Sequence, residues 1–307
     1  MRLIADIGGT NARFALVDPR GEIGALVKLA VADHVRFDDA LDQALVRLEA
    51  PRLTSAVLAV AGPIRHGAVA LTNADWHVSE DGLAARLGTG DVRLVNDFEA
   101  VALALPHLSG ADIERLGPDV ETRDPRLPRL AVGPGTGLGA SLCVPLGDER
   151  YRSVATEAGH VSLACDDSAL RGRLQAMIGD RPLEAEDVLS GQGIARLHEA
   201  LHGVSVEPAA VTEAALRHDA AACRTLEVFI GLLARFAAET ALACGAFGGV
   251  YIGGGLVEGG RVVLDGERMR SAFVGHGRMR AVLERVPLFA LRRLDTALLG
   301  LAKATFD

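Results

Sequence analysis

Lysine is almost missing from this chain of 307 residues. Of its 32 basic residues, only Lys28 and Lys303 are lysines, and every other one is an arginine. A Walker-type phosphate loop needs Gly followed by Lys, but Lys28 follows Val27 and Lys303 follows Ala302. The sequence therefore excludes that loop, and Schiff-base chemistry is hard to place in it.

Cysteine is scarce and scattered. The four residues are Cys143, Cys165, Cys223 and Cys244. No CxxC pair occurs, and none lies within metal-ligand spacing of another, so a zinc site is disfavoured. We expect buried thiols in a reducing compartment.

Long apolar runs and basic stripes are lacking too. The longest apolar region, 228–252, is interrupted by Arg235 and Glu239, and the N-terminus reaches Asp6 before a signal-peptide core develops. The net charge is -8 and no stretch collects basic residues, which disfavours nucleic-acid binding. We expect a cytoplasmic protein without membrane or nucleic-acid partners.

Glycine, by contrast, is abundant. Its 35 residues, with 4% aromatic and 49% hydrophobic content, favour an α/β protein with tight turns and one large or two ordinary domains. The predicted strands lie at 3–7, 13–17, 26–31 and 55–62, and the predicted helices at 37–49, 220–244 and 295–306. Residues 92–105 begin as a strand and continue as a helix. The polar stretch 110–129, with three prolines, predicts a linker between two similar halves.

Each half begins with a glycine-turned hairpin, IADIGGTNARFAL at 4–16 and RLAVGPGTGLGASLCV at 129–144. Glycine lets the backbone approach a ligand and points N–H groups at it, so two facing hairpins could clamp a polyphosphate without lysine. Asp6 could then hold Mg²⁺ through water. Either hairpin alone is better explained as a plain tight turn, but the two copies favour phosphate.

The second hairpin also fits a rival pattern. Residues 135–140 match the dinucleotide fingerprint, which would indicate a dinucleotide-dependent oxidoreductase. That fingerprint must open a helix, whereas residues 140–144 are strand-like and end at Pro145. We therefore discount the match and keep the oxidoreductase as an alternative.

Three further stretches carry polar side chains. Asn96 and Asp97 stand where ligands gather in α/β sheets, although a helix N-cap is the simpler explanation. Glu157 and His160, in TEAGHVS, could pair with vicinal hydroxyls or simply form a polar turn. Dipole compensation in the first turn of a helix explains most of the acids of EAEDVLSGQGI at 184–194.

Taken together, these stretches resemble the bacterial glucokinases outside the ROK group. The order matches over almost the whole chain: DIGGTNARFAL, AGPI with LTNADW, LVNDFEAVALALP, GPGTGLGAS, TEAGH, AEDVLSG and GGVYIGGG. ROK kinases use a cysteine-rich zinc site, against which the isolated cysteines argue. Many relatives have two glycines where this chain has Ala158-Gly159, and the extra methyl group could make the sugar pocket smaller.

The resemblance implies a two-domain α/β fold of the actin-like ATPase (ribonuclease H-like) sugar kinase type, with mixed sheets flanked by helices and an interdomain cleft. A small domain would comprise 1–108 plus 293–307, and a large domain 109–292. The implied reaction transfers the γ-phosphoryl group of ATP, with Mg²⁺, to the 6-hydroxyl of D-glucose. A kinase for another hexose or an amino sugar, or a sugar-sensing non-catalytic homologue, is the alternative. The oligomeric state stays open, with a homodimer as a candidate.

The resemblance also implies residue roles. Asp97 would be the general base, and its ordinary pKa of about 3.9 would leave it charged at neutral pH without tuning. The implied sugar contacts are Asn73, Asn96, Asp97, Glu157, His160 and Glu186. The implied ATP contacts are Asp6, Gly8, Gly9, Thr10, Asn11, Gly135, Thr136, Gly137, Gly253, Gly254 and Gly255.

Overall fold

The computed structural model describes residues 1–71, 75–120, 124–258, 260, 262–275 and 277–304. The chain divides into two compact units. The first comprises Met1–His107, Arg150–Ser153 and Asp295–Asp307, and the second Leu108–Glu149 and Val154–Leu294. The domain limits inferred from the resemblance stay a prediction.

The first unit is built on a mixed sheet. Its described strands are β1 (Arg2–Ile7), β2 (Asn11–Val17), β3 (Ile23–Ala30), β4 (Ser55–Val60), β5 (Ala68–Ala70), β6 (His77–Ser79) and β7 (Val92–Asn96). The order in the sheet is β3-β2-β1-β4-β7, with β1, β4 and β7 parallel and β2 antiparallel to both of its neighbours. β5 and β6 pair separately. Every residue of β4 is buried, which is typical of a central parallel strand that is covered on both faces.

The second unit repeats this pattern. Its strands are β8 (Ile113–Arg115), β9 (Arg129–Pro134), β10 (Leu138–Gly147), residues 154–156 of β11 (Arg150–Thr156), β12 (Val250–Ile252) and β13 (Leu288–Leu291). The sheet order is β11-β10-β9-β12-β13-β8. β9 and β10 form an antiparallel hairpin, and β12 and β13 run parallel to β9 on its other side. The prediction of two similar α/β halves, each with a glycine-turned hairpin, is confirmed, although β8 precedes the hairpin in the second half.

Helices accompany both sheets. In the first unit they are α1 (Phe37–Arg47), α2 (Glu80–Leu87) and α3 (Asp97–Ala104). In the second they are α4 (Ser168–Ile178), α5 (Gly191–His202), α6 (Pro208–Leu216), α7 (Ala220–Cys244), α8 (Gly255–Glu258), α9 (Gly266–Val274) and α10 (Arg280–Leu283). Within the described part of the chain, no helix is long and apolar enough to cross a membrane.

Two expectations about the chain between the motifs are wrong. The predicted linker contains β8, which pairs with β13 because an exposed sheet edge offers unpaired backbone groups even to a polar segment. Buried thiols are found only at Cys143 and Cys165, whereas Cys223 and Cys244 are half-buried. The predicted helix at 220–244 is confirmed as α7.

The last helix, α11 (Thr296–Lys303), completes the first unit. Its apolar residues Leu298 and Leu301 share a buried cluster with Ile4 and Val57. Gly300 lies so close to α3 that an ideal Cβ would stand 1.8 Å from the Ala100 carbonyl oxygen. The close contact of α11 with α3 therefore depends on the missing side chain.

We expect Gly300→Ala to lower the free energy of unfolding by about 1–3 kcal/mol or more, because the methyl group overpacks the contact between α11 and α3. The matched control is Gly231→Ala in α7, where an ideal Cβ meets no atom within 4 Å. That change should stabilise the chain by about 0.5–1 kcal/mol through helix propensity. Urea unfolding measures both, and equal effects of the two substitutions would contradict this packing.

Candidate active site

The first glycine turn, residues 8–10, joins β1 to β2. Its backbone is anchored on both sides: Gly8 N–H donates to the Asn11 carbonyl, and Val31 N–H donates to the Thr10 carbonyl, each at 3.0 Å. An ideal Cβ at Gly8 would stand an ordinary 3.5 Å from the Asn11 oxygen, so local packing does not demand glycine there. Thr10 is exposed, and Gly8, Gly9 and Asn11 are half-buried. The turn can therefore offer backbone N–H groups to a ligand.

Asp6 lies at the end of β1, next to this turn. It is opposite Arg13 in the hairpin register, and its Oδ2 accepts a hydrogen bond from the Arg13 guanidinium at 2.8 Å. Burial raises the pKa of Asp6, while Arg13 acts in the opposite direction.

The donor set at Asp6 fits a magnesium ion that is held mainly by water and substrate. One carboxylate oxygen is already taken by Arg13, so Asp6 has a single oxygen to offer. Among the described residues, no three His, Cys, Asp or Glu side chains stand together as a metal cage. Mg²⁺ usually keeps several waters and takes one or two carboxylates plus substrate phosphates, which agrees with this sparse set.

Asn96 and Asp97 mark the change from β7 to α3, as predicted. Asn96 is the N-cap: its Oδ1 accepts from Phe98 N–H at 2.9 Å. Glu99 returns the contact by accepting from Asn96 N–H at 3.2 Å, and it also accepts from the Ser153 hydroxyl at 3.1 Å. The capping box fixes the backbone from which Asp97 projects.

The Asp97 carboxylate has a raised pKa. Burial raises its pKa to about 6, a hydrogen bond from Phe98 N–H opposes the rise, and the negative charge of Asp6 adds to it. The expectation that this carboxylate needs no tuning is therefore wrong. A group with this pKa is mostly ionised at pH 7 and is still basic enough to accept a proton.

The second glycine turn, residues 135–137, joins β9 to β10. Gly135 N–H donates to the Gly137 carbonyl at 2.8 Å, and the Gly135 carbonyl accepts from Gly191 N–H at 2.8 Å. Thr136 is exposed at the tip. The turn is followed by strand β10 rather than by a helix, so the dinucleotide fingerprint lacks the helix it requires.

The third glycine loop, residues 253–255, is brought against the second turn. Gly253 N–H donates to the Val132 carbonyl at 2.8 Å. Gly254 has a φ of +83°, and an ideal Cβ there would stand 2.7 Å from the Pro134 carbonyl oxygen. Gly255 begins α8, and its amide nitrogen is 3.8 Å from the ideal Cβ position of Gly135. The structure thus assembles two of the predicted ATP-binding stretches at one place.

Glu157 precedes a short 3₁₀ turn, Ala158–His160, and His160 is its last residue. The His160 ring is 52% exposed, with its Nε2 4.0 Å from a Glu157 carboxylate oxygen. Its Nδ1 lies 2.8 Å from Oε2 of Glu184. The pKa of His160 is raised, chiefly by the hydrogen bond to Glu184 and then by the negative charges of Glu186, Glu184 and Glu157.

Gly159 has no space for a side chain. An ideal Cβ there would stand 2.4 Å from the Leu138 carbonyl oxygen, whereas Ala158 packs against the core of the second unit. The chain's departure from the two-glycine pattern therefore falls at the position that accommodates a methyl group.

The acids at 184–187 do not lie in the first turn of a helix, so helix-dipole compensation does not explain them. Helix α5 begins later, at Gly191, with Ser190 as its N-cap. Asp187 instead pairs with Arg181, Glu184 with His160, and Glu186 Oε2 accepts from Leu138 N–H at 2.7 Å. Sequence reasoning missed Glu184, because only the fold brings residue 184 to residue 160. Asn73, a predicted sugar contact, lies outside the described residues.

The two similar sheets with their hairpins, together with the likeness to a solved glucokinase, define the class as an actin-like ATPase of the sugar kinase type. The glucokinase structure from an Antarctic psychrotroph has a TM-score of 0.84 and 31% identity, covering 98% of this chain and 97% of that chain. The Balamuthia mandrillaris glucokinase, solved in complex with glucose, is similar in fold, with a TM-score of 0.78 and 20% identity over 98% of this chain and 92% of that chain.

Sequence similarity narrows the class to one family. The Glucokinase family model matches residues 3–306. The glucokinase of Cupriavidus pinatubonensis is 38% identical over 100% of this chain and 92% of the relative's length. The chain belongs to the glucokinase family, a family of ATP-dependent kinases.

We expect the Asp97 carboxyl to titrate near pH 6 in ¹³C NMR, because burial and Asp6 raise its pKa to about 6. It should be ionised above that pH and take up a proton as the pH falls through it. Asp6→Asn should move this midpoint down by removing a neighbouring negative charge, and Asp81→Asn on exposed α2 should not. A titration of Asp97 in the ordinary range near 4 would contradict the assignment.

Proposed function

We propose that the chain transfers the γ-phosphoryl group of ATP to the 6-hydroxyl of D-glucose, giving glucose 6-phosphate and ADP, with Asp97 as the general base. Membership of the glucokinase family supports the reaction. The observation that carries the residue assignment is the Asp97 carboxylate, fixed at the start of α3 with its pKa raised to about 6.

In the proposed reaction, the sugar O6 attacks the γ-phosphorus while the bond from that phosphorus to the β–γ bridging oxygen breaks. The electron pair of the broken bond leaves on ADP, and the O6 proton passes to the Asp97 carboxylate. Such a transfer asks mainly for alignment and charge stabilisation, so a carboxylate of moderate basicity suffices. The capping box at Asn96 and Glu99 supplies the alignment of Asp97.

The phosphate chain is assigned to the two glycine turns. Gly8, Gly9, Thr10 and Asn11 form the first contact, and Gly135, Thr136 and Gly137 the second. The threonine hydroxyls and the backbone N–H groups that are not used inside the turns are suited to anions in a chain with only two lysines. Gly8 N–H and Gly135 N–H already donate to the Asn11 and Gly137 carbonyls. Residues 253–255 adjoin the second turn and are assigned to the adenosine end of ATP. Asp6 would hold Mg²⁺ through water, and the bound ion would neutralise developing phosphate charge.

The sugar is assigned to Asn73, Asn96, Asp97, Glu157, His160 and Glu186. These groups differ in what they offer: a carboxylate accepts hydrogen bonds, while an amide and an imidazole can both donate and accept. A sugar that lacks a required hydroxyl would leave one of these polar groups without its partner, at roughly 1–3 kcal/mol where that group is buried. Glucose should therefore be preferred over sugars that lack or invert one of its hydroxyls.

We expect Asp97→Asn to lower kcat by roughly 100-fold or more, since the amide keeps the shape of the side chain but cannot accept the proton. The glucose KM and the unfolding midpoint should change little. A coupled ADP-release assay measures both kinetic constants, with Asp81→Asn as the matched control. Near-normal turnover of Asp97→Asn would remove Asp97 from the role of base.

We expect Gly8→Val to raise the ATP KM while the fold survives, because the added side chain would crowd the proposed phosphate, whereas its Cβ meets protein only at an ordinary 3.5 Å from the Asn11 oxygen. Loss of a single charge-assisted hydrogen bond to phosphate corresponds to roughly a tenfold rise. Gly90→Val is the control, since an ideal Cβ at Gly90 meets nothing within 4 Å. An unchanged ATP KM in a folded Gly8→Val variant would exclude this turn from ATP binding.

A further inference from the structure

Hydrogen bonds to neighbouring residues hold the backbone of Glu184 in place. Its backbone N–H donates to Asp187 Oδ2 at 2.9 Å. The Asp187 carboxylate in turn accepts two hydrogen bonds from the Arg181 guanidinium, at 2.8 and 2.5 Å. The next residue, Ala185, donates its N–H to the Val161 carbonyl at 2.8 Å. The backbone of Glu184 is thus tied to the strand-like segment that follows His160.

The contact between Glu184 and His160 fixes which ring nitrogen carries the proton when the ring is neutral. An ionised carboxylate can only accept hydrogen bonds, so Nδ1 of His160, 2.8 Å from Glu184 Oε2, must be the donor. The opposite nitrogen, Nε2, is then the atom available to a ligand, and the ring is 52% exposed.

We propose that Glu184 is a positioning residue, which accepts the hydrogen bond from Nδ1 of His160 and thereby presents Nε2 to a sugar hydroxyl. The inference rests on the proposed role of His160 as a sugar contact. It adds a residue that does not itself touch the sugar and whose effect passes through the imidazole. A carboxylate that orients a histidine in this way is a common device in proteins.

The charge around the ring supports the same role. The carboxylates that face His160 are those of Glu184, Glu186 and Glu157, and together they raise its pKa. The imidazolium form therefore persists to higher pH, with Nε2–H donating to the sugar. Above the pKa the proton leaves Nε2, which becomes an acceptor, while Nδ1–H stays on Glu184.

The first test reads the ring directly, by ¹⁵N NMR of the histidines in the full chain. In the wild type, neutral His160 should be the Nδ1–H tautomer. Glu184→Gln should keep that tautomer, because the amide oxygen still accepts, but should lower the pKa of His160 by removing a charge. Glu184→Ala should lose the tautomer preference and lower the pKa. An Nε2–H tautomer in the wild type, or no change in Glu184→Ala, would overturn the proposal.

The second test is kinetic. Glu184→Ala should raise the glucose KM roughly five- to tenfold, a size consistent with one weakened charge-assisted hydrogen bond. It should leave kcat and the ATP KM nearly unchanged. In a His160→Ala background the same change should have no further effect on the glucose KM. At low pH, Glu184→Gln should bring the glucose KM most of the way back to the wild-type value. Glu213→Ala, at an exposed position of α6, is the control.

These results distinguish a failure of the positioning role of Glu184 from a failure of the proposed sugar role of His160. If Glu184→Ala raises the glucose KM equally with and without the His160 ring, the positioning role is wrong. If His160→Ala leaves the glucose KM unchanged while the tautomer still depends on Glu184, the proposed sugar role of His160 is wrong and the inference fails with it.

Discussion

Around the second glycine turn, residues 135–137, neighbouring segments pack so closely that Gly137 and Gly254 leave no room for a side chain. An ideal Cβ at Gly254 would stand 2.7 Å from the Pro134 oxygen, and one at Gly137 2.5 Å from Glu186 Oε2. The same crowding holds where Gly159 meets the Leu138 carbonyl. In a chain with only two lysines, this close backbone is what can offer an anion several N–H groups at once. It also links the turn to the Glu157–His160 motif, because Glu186 accepts from Leu138 N–H and donates its own N–H to the Gly159 carbonyl.

The first unit depends on a different balance, that between burial and charge at its carboxylates. Burial raises the pKa of both Asp6 and Asp97, but among the described residues only Asp6 of the two has a cation beside it, Arg13 at 2.8 Å. The contrast separates two aspartates of one unit by environment rather than by residue type. The carboxylate with a pKa of about 6 suits proton transfer, whereas at Asp6 the Arg13 guanidinium opposes the effect of burial on the pKa.

Much of the fold and part of the candidate site could be predicted from the sequence. The hairpins and the junction of β7 with α3 followed from local patterns, because strand alternation, glycine turns and helix caps leave short-range signals. The acids at 184–187 were misread, since their partners His160, Arg181 and Leu138 lie up to 48 residues away in sequence and only the fold brings them near. The strand β8 was missed because its pairing is set by the free edge of β13. The acidity of Asp97 depends on burial and on Asp6, which no local pattern records.

The central claim is a sugar kinase in which the 6-hydroxyl of glucose is the acceptor. Its most direct test is steady-state ADP release from Mg·ATP across a panel of glucose, its epimers, glucosamine and 6-deoxyglucose. The account predicts efficient glucose-dependent release, much weaker release with the epimers, and none above background with 6-deoxyglucose. Release that does not depend on glucose, or that continues equally with 6-deoxyglucose, would contradict it.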